Sequence, residues 1–421
     1  MKEIIPIEKV NAVIEVPGSK SITQRALIAA ALADGKSTLL GPLASEDTAF
    51  TAMALRAMGI DVESEGKEWQ VQGGGGRIET PKKEIYLGNN GTATRFLTSV
   101  ASLGKGVFTI TGEKRMEERP IAPLMSALAG WGVDIKSIRG TGCPPLEIRA
   151  DGIRGGKTVL PEGKSSQYLS SLLLVAPYAR QKAELEVAGT LPSKPYVTMT
   201  TAVMEFFGIK VHANDSLTRF EIDQGSYQSR DYLIEGDASG ASYFFAAAAV
   251  TGGTVTVTNV PRESLQGDTA LVEMLEKMGC RVDYDRGITV TGPEELTGIE
   301  VDMGDCPDVA PTLAVAAAMA RGRTVIRNVA HLRIKECDRL HAMATELSKL
   351  GVRLEERPDE LVIDGSGKDG LHGAEIDTFN DHRIAMCFGV AGLVVPGIRV
   401  RNEGCVAKSF PDFWERFAKL R

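Results

Sequence analysis

The chain has 421 residues, 43% hydrophobic and 24% charged, which is ordinary globular composition with length for two or three domains. Its net charge of −7 comes without any block of like charges, so neither a nucleic acid nor an anionic membrane is an expected partner. The most apolar stretches, 241–251 and 309–320, are too short to span a bilayer, and the opening MKEIIPIEKVNAVIEV reads as neither signal nor transit peptide, so a cytoplasmic location is expected. Six scattered cysteines (143, 280, 306, 337, 387 and 405) form no CxxC pair and read as free thiols in a reducing compartment.

In chain order, a helix–glycine–strand phrase recurs about every 70 residues. It turns at Gly59 in LRAMGIDV, Gly132 in LAGWGVDI, Gly208 in MEFFGIKV, Gly279 in LEKMGCRV and Gly351 in LSKLGVRL. Each copy predicts an amphipathic helix, a C-cap glycine and a β-branched strand. A sixth helix-like copy is DFWERFAKLR.

A second series runs out of phase with the first. Six alanine- and leucine-rich segments start near Ser21, Thr92, Ser165, Ser239, Asp308 and Asp381. Each is apolar over most of its circumference, which predicts a buried helix, and each is preceded by small or polar residues that can cap it. The chain therefore reads as six units of two helices and several strands, in two halves of three, with the polar run 223–231 as the candidate seam. The expected fold class is α/β (or α+β), built by repetition. Helix N-termini carry partial positive charge and unpaired N–H groups, so several of them turned on one cleft would attract anions.

The residues at those starts suit that expectation. PGSKSITQRAL puts Lys20 and Ser21 at a helix entrance and Arg25 one turn further in; a capped helix with solvated cations is the plain alternative. LGNNGTATRFL brackets two asparagines with Gly88 and Gly91 before a helix, either an anion cradle or a tight turn. In EKRMEERPIAPL, Arg119 precedes Pro120, a good helix-start residue, and three nearby acids make surface ion pairing the alternative. GKSSQYLSSLLL offers Ser165, Ser166 and Gln167 as donors, and Thr158 stands where a P-loop would need glycine, which excludes that motif. PSKPYVT supplies Ser193, Lys194 and Tyr196 in a proline-bounded loop. Asp308 in DCPDVAPTL is the expected N-cap of its helix.

HLRIKECDRL crowds Lys335, Glu336 and Arg339 at a helix entrance with His331 just before. Lys335 and Arg339 are four apart and share a helical face, and a carboxylate between cations suits acid–base work; an ion-paired surface helix is the alternative. FNDHRIAM adds Asp381, His382 and Arg383, and CVAKSFPDF adds Lys408. The five histidines never pair as HxH or HxxxH, so no metal site is expected. Cations and donors recur at corresponding positions of a sixfold repeat, which predicts a cleft for one or more polyanionic small molecules.

PGSKSITQRAL, LGNNGTATR, EERP, SSQYL, SKPY, PD at 307–308, RIKECDRL, NDHRIAM and AKSFPDF occur in the order found in the 5-enolpyruvylshikimate-3-phosphate synthase family, and nearly the whole chain resembles it. The resemblance implies two similar domains, each of three βαβαββ repeats, in the six-unit inside-out α/β barrel of the enolpyruvyl transferases. It implies a first domain at 18–232, mainly on the shikimate 3-phosphate side, and a second at 1–17 with 233–421, mainly on the phosphoenolpyruvate side. It also implies the reaction: the 5-hydroxyl of shikimate 3-phosphate attacks C2 of phosphoenolpyruvate, C3 is protonated, and phosphate then leaves. That step belongs to chorismate and aromatic amino acid biosynthesis. No cofactor and no metal are implied, the partners are the two small-molecule substrates, and a monomer is expected.

Carried over by motif, Lys20, Ser21, Arg25, Ser165, Ser166, Gln167, Ser193, Asp308, His331 and Lys335 resemble the ligands of shikimate 3-phosphate. Lys20, Gly91, Arg119, Gln167, Arg339, Arg383 and Lys408 resemble those of phosphoenolpyruvate. Asp308 resembles the base at the 5-hydroxyl, Glu336 the acid at C3, and Lys20 completes the catalytic set. Three positions depart from the family pattern: Asn90 for alanine, Phe96 for proline, and His331 where asparagine is also common. The family is inhibited by glyphosate at the phosphoenolpyruvate pocket, so Asn90 beside Gly91 motivates an expectation of altered sensitivity. Two readings compete. A fold-sharing transferase acting on UDP-N-acetylglucosamine commonly uses a loop cysteine, for which Cys143 in GTGCPPL is the candidate. A non-catalytic binding scaffold would leave Asp308 and Glu336 amid cations unexplained.

Overall fold

A computed structural model describes residues 1–163 and 165–420. Lys164 of the GKSSQ run and Arg421, the last residue of the terminal helix-like copy, lie outside the described residues. The chain forms two compact units, Lys20–Ile234 and Met1–Ser19 with Glu235–Arg421.

In the unit Lys20–Ile234 the α-helices are α1 (Lys20–Leu32), α2 (Glu46–Ala57), α3 (Gly91–Ala101), α4 (Ala122–Gly130), α5 (Gln167–Val175) and α6 (Lys194–Phe206). The other unit holds α7 (Ala238–Thr251), α8 (Ala270–Lys277), α9 (Ala310–Ala318), α10 (Arg339–Ser348), α11 (His382–Ala391) and α12 (Phe413–Ala418). The odd-numbered helices are the apolar series of the sequence, and they are buried on nearly every side. Alanine and leucine favour helix and fill such a centre without polar groups to satisfy. Where polar side chains do enter, small hydroxyls pair across helices: Ser99 with Ser171 at 2.5 Å, and Ser242 with Thr312 at 3.0 Å.

The even-numbered helices are the first series. Gly59, Gly132, Gly208, Gly279 and Gly351 follow them, each with φ between +84° and +107°. Any other residue there would adopt the left-handed region at a cost of about 1–2 kcal/mol, which is why the phrase carries glycine five times.

Five sheets share one topology, illustrated by Lys105–Thr111: it pairs in parallel with Ile85–Tyr86 and antiparallel with Leu146–Asp151, which pairs with Asp134–Ser137. Strand burial alternates, so one face of each sheet packs on the helices and the other meets water. Among the described residues three strands cross the sequence order, the first being Lys2–Glu3, antiparallel to Arg399–Val400. Asn11–Ile14 pairs in parallel with Thr254–Val257, and Asp231–Leu233 pairs in parallel with Thr38–Leu40. Asn11–Ile14 thus completes a sheet of the unit Glu235–Arg421. The run 223–231, the candidate seam, lies inside the other unit: Tyr227 is 1% exposed and Asp231 starts a paired strand.

Candidate functional site

The candidate residues fall into two sets, one in each unit. In the unit Lys20–Ile234 they gather at the N-termini of α1, α3, α5 and α6. Lys20 and Ser21 open α1, and Lys20 Nζ lies 3.1 Å from Asp47 Oδ2. Arg25, one turn in, is 1% exposed. Its guanidinium donates to Thr200 Oγ1 (2.7 Å), the Ser21 carbonyl (2.9 Å), the Tyr196 carbonyl (3.2 Å) and Ser170 Oγ (3.3 Å). It also lies over the rings of Phe96 and Tyr196 at 5.3 and 5.8 Å. Every one of these partners is neutral. Burial accordingly pulls Arg25 down to about 10. A buried cation without a carboxylate is costly, and a bound anion would relieve that cost. Phe96, the departure from proline, serves here as the flat support of that cation.

Asn90 caps α3, accepting from Ala93 N at 2.9 Å, and its Nδ2 donates to the Asp47 carbonyl at 2.7 Å. Gly91 is the first residue of α3. A Cβ there would stand 2.5 Å from Arg119 Nη2 and 2.5 Å from Arg95 Nη1, so two guanidinium groups close over this glycine. Arg119 is 4% exposed and donates to the Asn89 carbonyl and to Asn89 Oδ1, both at 3.0 Å. Of the nearby acids, Glu117 pairs with Arg139 and Glu118 with Arg115. Pro120 does not start the following helix, which begins at Ala122 with Pro123 in its first turn.

Gln167 opens α5; its Oε1 accepts from Arg95 Nη1 at 2.6 Å and its Nε2 donates to Thr92 Oγ1 at 2.9 Å. Ser165 Oγ accepts from Gln167 N at 3.3 Å, and Ser166 is buried. Ser193 precedes α6 with φ +55°. Lys194 and Tyr196 lie in the first turn of α6, not in a loop, because Pro195 is a good first-turn residue.

The unit Glu235–Arg421 carries the second set. Asp308 does not cap α9. It lies in the single 3-10 turn Pro307–Val309 before that helix, and its carboxylate faces three cations. Oδ1 is 3.1 Å from Arg339 Nη1 and 3.3 Å from Lys335 Nζ; Oδ2 is 2.8 Å from Arg383 Nη2. Burial pushes the Asp308 carboxyl up, but Arg383, Lys335 and Arg339 outweigh it and hold the group well below the usual carboxylate range. Glu336 Oε2 accepts from Arg339 Nη2 at 2.7 Å. Lys335 is not on the helix with Arg339: it is extended, after the turn Ala330–Ile334, and the two cations meet at Asp308 rather than along a helical face. Arg339 is 1% exposed, so this is no surface ion pair.

Asp381 caps α11 through Arg383 N at 2.9 Å and takes Arg339 Nε at 2.7 Å. His331 is buried, and its Nε2 has no hydrogen-bond partner among the described residues. Burial and Lys335 pull its imidazole down to about 4, against the attraction of Asp308, so the ring is neutral at physiological pH. Lys408 ends the turn Glu403–Lys408 and is half-buried. Cys143 is 8% exposed, and burial pushes its thiol up, which disfavours the thiolate a cysteine-based reaction would need.

Sequence reasoning passed over three side chains that touch this machinery, Asp47 at Lys20, Arg95 at Gln167 and Asp268 at Ser239, and took Ser239 only as the start of a buried helix. Arg95 had a usable signal, since it stands four residues after Gly91 as Arg25 stands four after Ser21. Asp47 and Asp268 had none, because their partners are distant in the chain.

The family described as EPSP synthase (3-phosphoshikimate 1-carboxyvinyltransferase) matches residues 4–417. A protein of Shewanella amazonensis named 3-phosphoshikimate 1-carboxyvinyltransferase is 44% identical over 420 residues, covering 99% of this chain and 97% of its own. One of the same name from Trichormus variabilis is 45% identical over 415 residues, covering 98% and 96%. Among solved structures, an EPSP synthase from Acinetobacter baumannii aligns with a TM-score of 0.82 at 29% identity, covering 99% of this chain and 97% of that one. The enolpyruvyl transferase NikO from Streptomyces tendae shares the fold, with a TM-score of 0.77 at 18% identity and coverage of 99% and 96%. The chain belongs to the EPSP synthase (3-phosphoshikimate 1-carboxyvinyltransferase) family.

Proposed function

We propose that this protein transfers the enolpyruvyl group of phosphoenolpyruvate to the 5-hydroxyl of shikimate 3-phosphate, releasing phosphate, as a step of chorismate and aromatic amino acid biosynthesis. Family membership over nearly the whole chain supports this reading. The observation that carries it is the meeting of Lys335, Arg339 and Arg383 on Asp308, with Glu336 on the same Arg339.

The physical logic follows from that cluster. A carboxylate held by three cations is a poor base. The phosphate and carboxylate of phosphoenolpyruvate compete for Arg339 and Arg383 and loosen their hold on Asp308, which raises its proton affinity toward what a base needs. Asp308 then takes the 5-hydroxyl proton as that oxygen attacks C2, while Glu336 delivers a proton to C3. Loss of phosphate and of a C3 proton from the tetrahedral adduct gives the product. Fixed cations offset the charge that develops without reorganising at the moment of reaction.

Lys20, Ser21, Arg25, Ser165, Ser166, Gln167, Ser193, His331 and Lys335 are the ligands proposed for shikimate 3-phosphate, along with Asp308. Lys20, Gly91, Arg119, Gln167, Arg339, Arg383 and Lys408 are those proposed for phosphoenolpyruvate. The unit Lys20–Ile234 supplies most of the first group. The reaction needs no cofactor or metal, and a cytoplasmic monomer suits it. The test is phosphate release from phosphoenolpyruvate with shikimate 3-phosphate, and separately with UDP-N-acetylglucosamine, with product masses. Release with shikimate 3-phosphate and an enolpyruvyl product mass supports the reading; release only with the nucleotide sugar moves it to the rival, and silence with both rejects it.

A further inference from the structure

Asp268 is a buried acid that the reaction above does not use. It is 5% exposed, in the single 3-10 turn Gly267–Thr269 that leads into α8. Its Oδ2 accepts a hydrogen bond from the Ser239 hydroxyl, in the first turn of α7. Ser239 Oγ lies 3.4 Å from Arg383 Nη2, the same nitrogen that reaches Asp308 Oδ2 at 2.8 Å. One guanidinium nitrogen therefore faces two carboxylates, Asp308 directly and Asp268 through one hydroxyl.

The charged and titratable groups around Asp268 come from three sides. Asp237 precedes α7, Cys306 precedes the turn Pro307–Val309 and Asp308 lies within it, and Arg383 comes from α11. On its own side, α8 brings no charge before Glu273. Burial and the Asp308 charge push Asp268 up to about 6, with Arg383 and the Ser239 bond drawing it only part of the way back. The group thus sits within reach of a proton near neutral pH.

An ionised carboxylate only accepts hydrogen bonds, so the Ser239 proton is committed to Asp268 while that group is charged. A protonated carboxyl donates instead. Ser239 Oγ can then accept from Asp268 and turn its own proton toward an oxyanion held by Arg383. An anion on Arg383 also adds negative charge one hydroxyl away from Asp268, which favours the protonated form.

Resting on the enolpyruvyl transfer reading, we propose that Asp268 takes up one proton from solvent when an anion settles on Arg383, and that Ser239 reverses its hydrogen bond to grip that anion. One O–H bond forms on Asp268 at the expense of a solvent hydronium or buffer acid; nothing is oxidised or reduced. Linkage then requires that lowering the pH tighten anion binding at Arg383.

Calorimetric titration of the full chain tests this, with inorganic phosphate and with phosphoenolpyruvate, at pH 7 in two buffers of different ionisation heat. The buffer dependence counts protons taken up. Ionisation of the ligand itself is common to all variants, so the difference between wild type and Asp268→Asn isolates Asp268. Expected is a substantial fraction of a proton taken up by wild type beyond Asp268→Asn, and several-fold weaker binding in Ser239→Ala. Equal proton uptake in wild type and Asp268→Asn overturns the proposal, as does failure of both anions to bind. Should Asp268→Asn not fold, affinity for both anions from pH 8 to 6 in wild type and Ser239→Ala decides it: a steeper gain in wild type supports the relay, and parallel curves overturn it. Turnover is a separate measurement: an inactive protein with the proton uptake would sink enolpyruvyl transfer alone, and an active one without it would sink the linkage alone.

Discussion

Arg339 Nε lies 2.7 Å from Asp381 Oδ2, and the two side chains are 1% and 0% exposed. Asp381 belongs to the cap of α11, so a helix end orients the guanidinium that reaches both Asp308 and Glu336. Removing one partner of a buried pair leaves a charge uncompensated. Asp381→Ala should therefore lose about 3–5 kcal/mol of stability. Chemical denaturation measures it, and a loss under about 1 kcal/mol, no more than an exposed pair gives, would contradict this account.

Glu336→Gln and Asp308→Asn remove the proposed acid and base while keeping shape. Each should cut turnover roughly 100-fold or more with the fold retained, in line with lost general acid–base catalysis. Steady-state rates alongside circular dichroism check it; near-normal rates in both variants would reassign the roles.

His331 sets a pH dependence of stability. Its folded value, about 4, lies below the ordinary histidine value, so the unfolded chain binds the extra proton between the two. Stability is then full above about pH 6.5 and declines as pH falls toward 4, by about 3 kcal/mol at most. His331→Asn should flatten that part of the curve. Denaturation midpoints of both proteins between pH 4 and 7 give the comparison, and parallel curves would rule the histidine out as the cause.

Gly91→Ala places a methyl 2.5 Å from the terminal nitrogens of Arg95 and Arg119. Both guanidinium groups must withdraw, and Arg119 is a proposed phosphoenolpyruvate ligand. KM for phosphoenolpyruvate should rise on the order of tenfold, equivalent to about 1.4 kcal/mol, with a smaller change in KM for shikimate 3-phosphate. Equal changes in both would point to a general disturbance of α3.

Asn90 has a structural duty as the cap of α3 and as a donor to the Asp47 carbonyl. Asn90→Ala should cost about 1 kcal/mol through loss of the cap. The same variant tests the inhibitor: glyphosate inhibition should shift between wild type and Asn90→Ala, and an unchanged inhibition constant removes Asn90 as a determinant.

Much of this was written locally in the chain. Helix centres such as FFAAAAV can only be buried, and a glycine at Gly59 or Gly351 can end a helix by taking a positive φ, so the six-unit repeat was legible as periodicity. The expected helix starts likewise match for Lys20 in α1 and Gly91 in α3. Contacts between distant segments were not legible. Asp308 looked like a cap because an acid before a helix usually is one, yet Arg339 and Arg383, 31 and 75 residues away, take its carboxylate instead. Asn11–Ile14 finds its strand partner at Thr254–Val257, and Asp268 finds Ser239 and, through it, Arg383. Local pattern determines which face of an element is apolar and where it must end, since those depend on neighbouring residues alone. Which charges share one buried space depends on how the elements pack, and only the tertiary structure decided that.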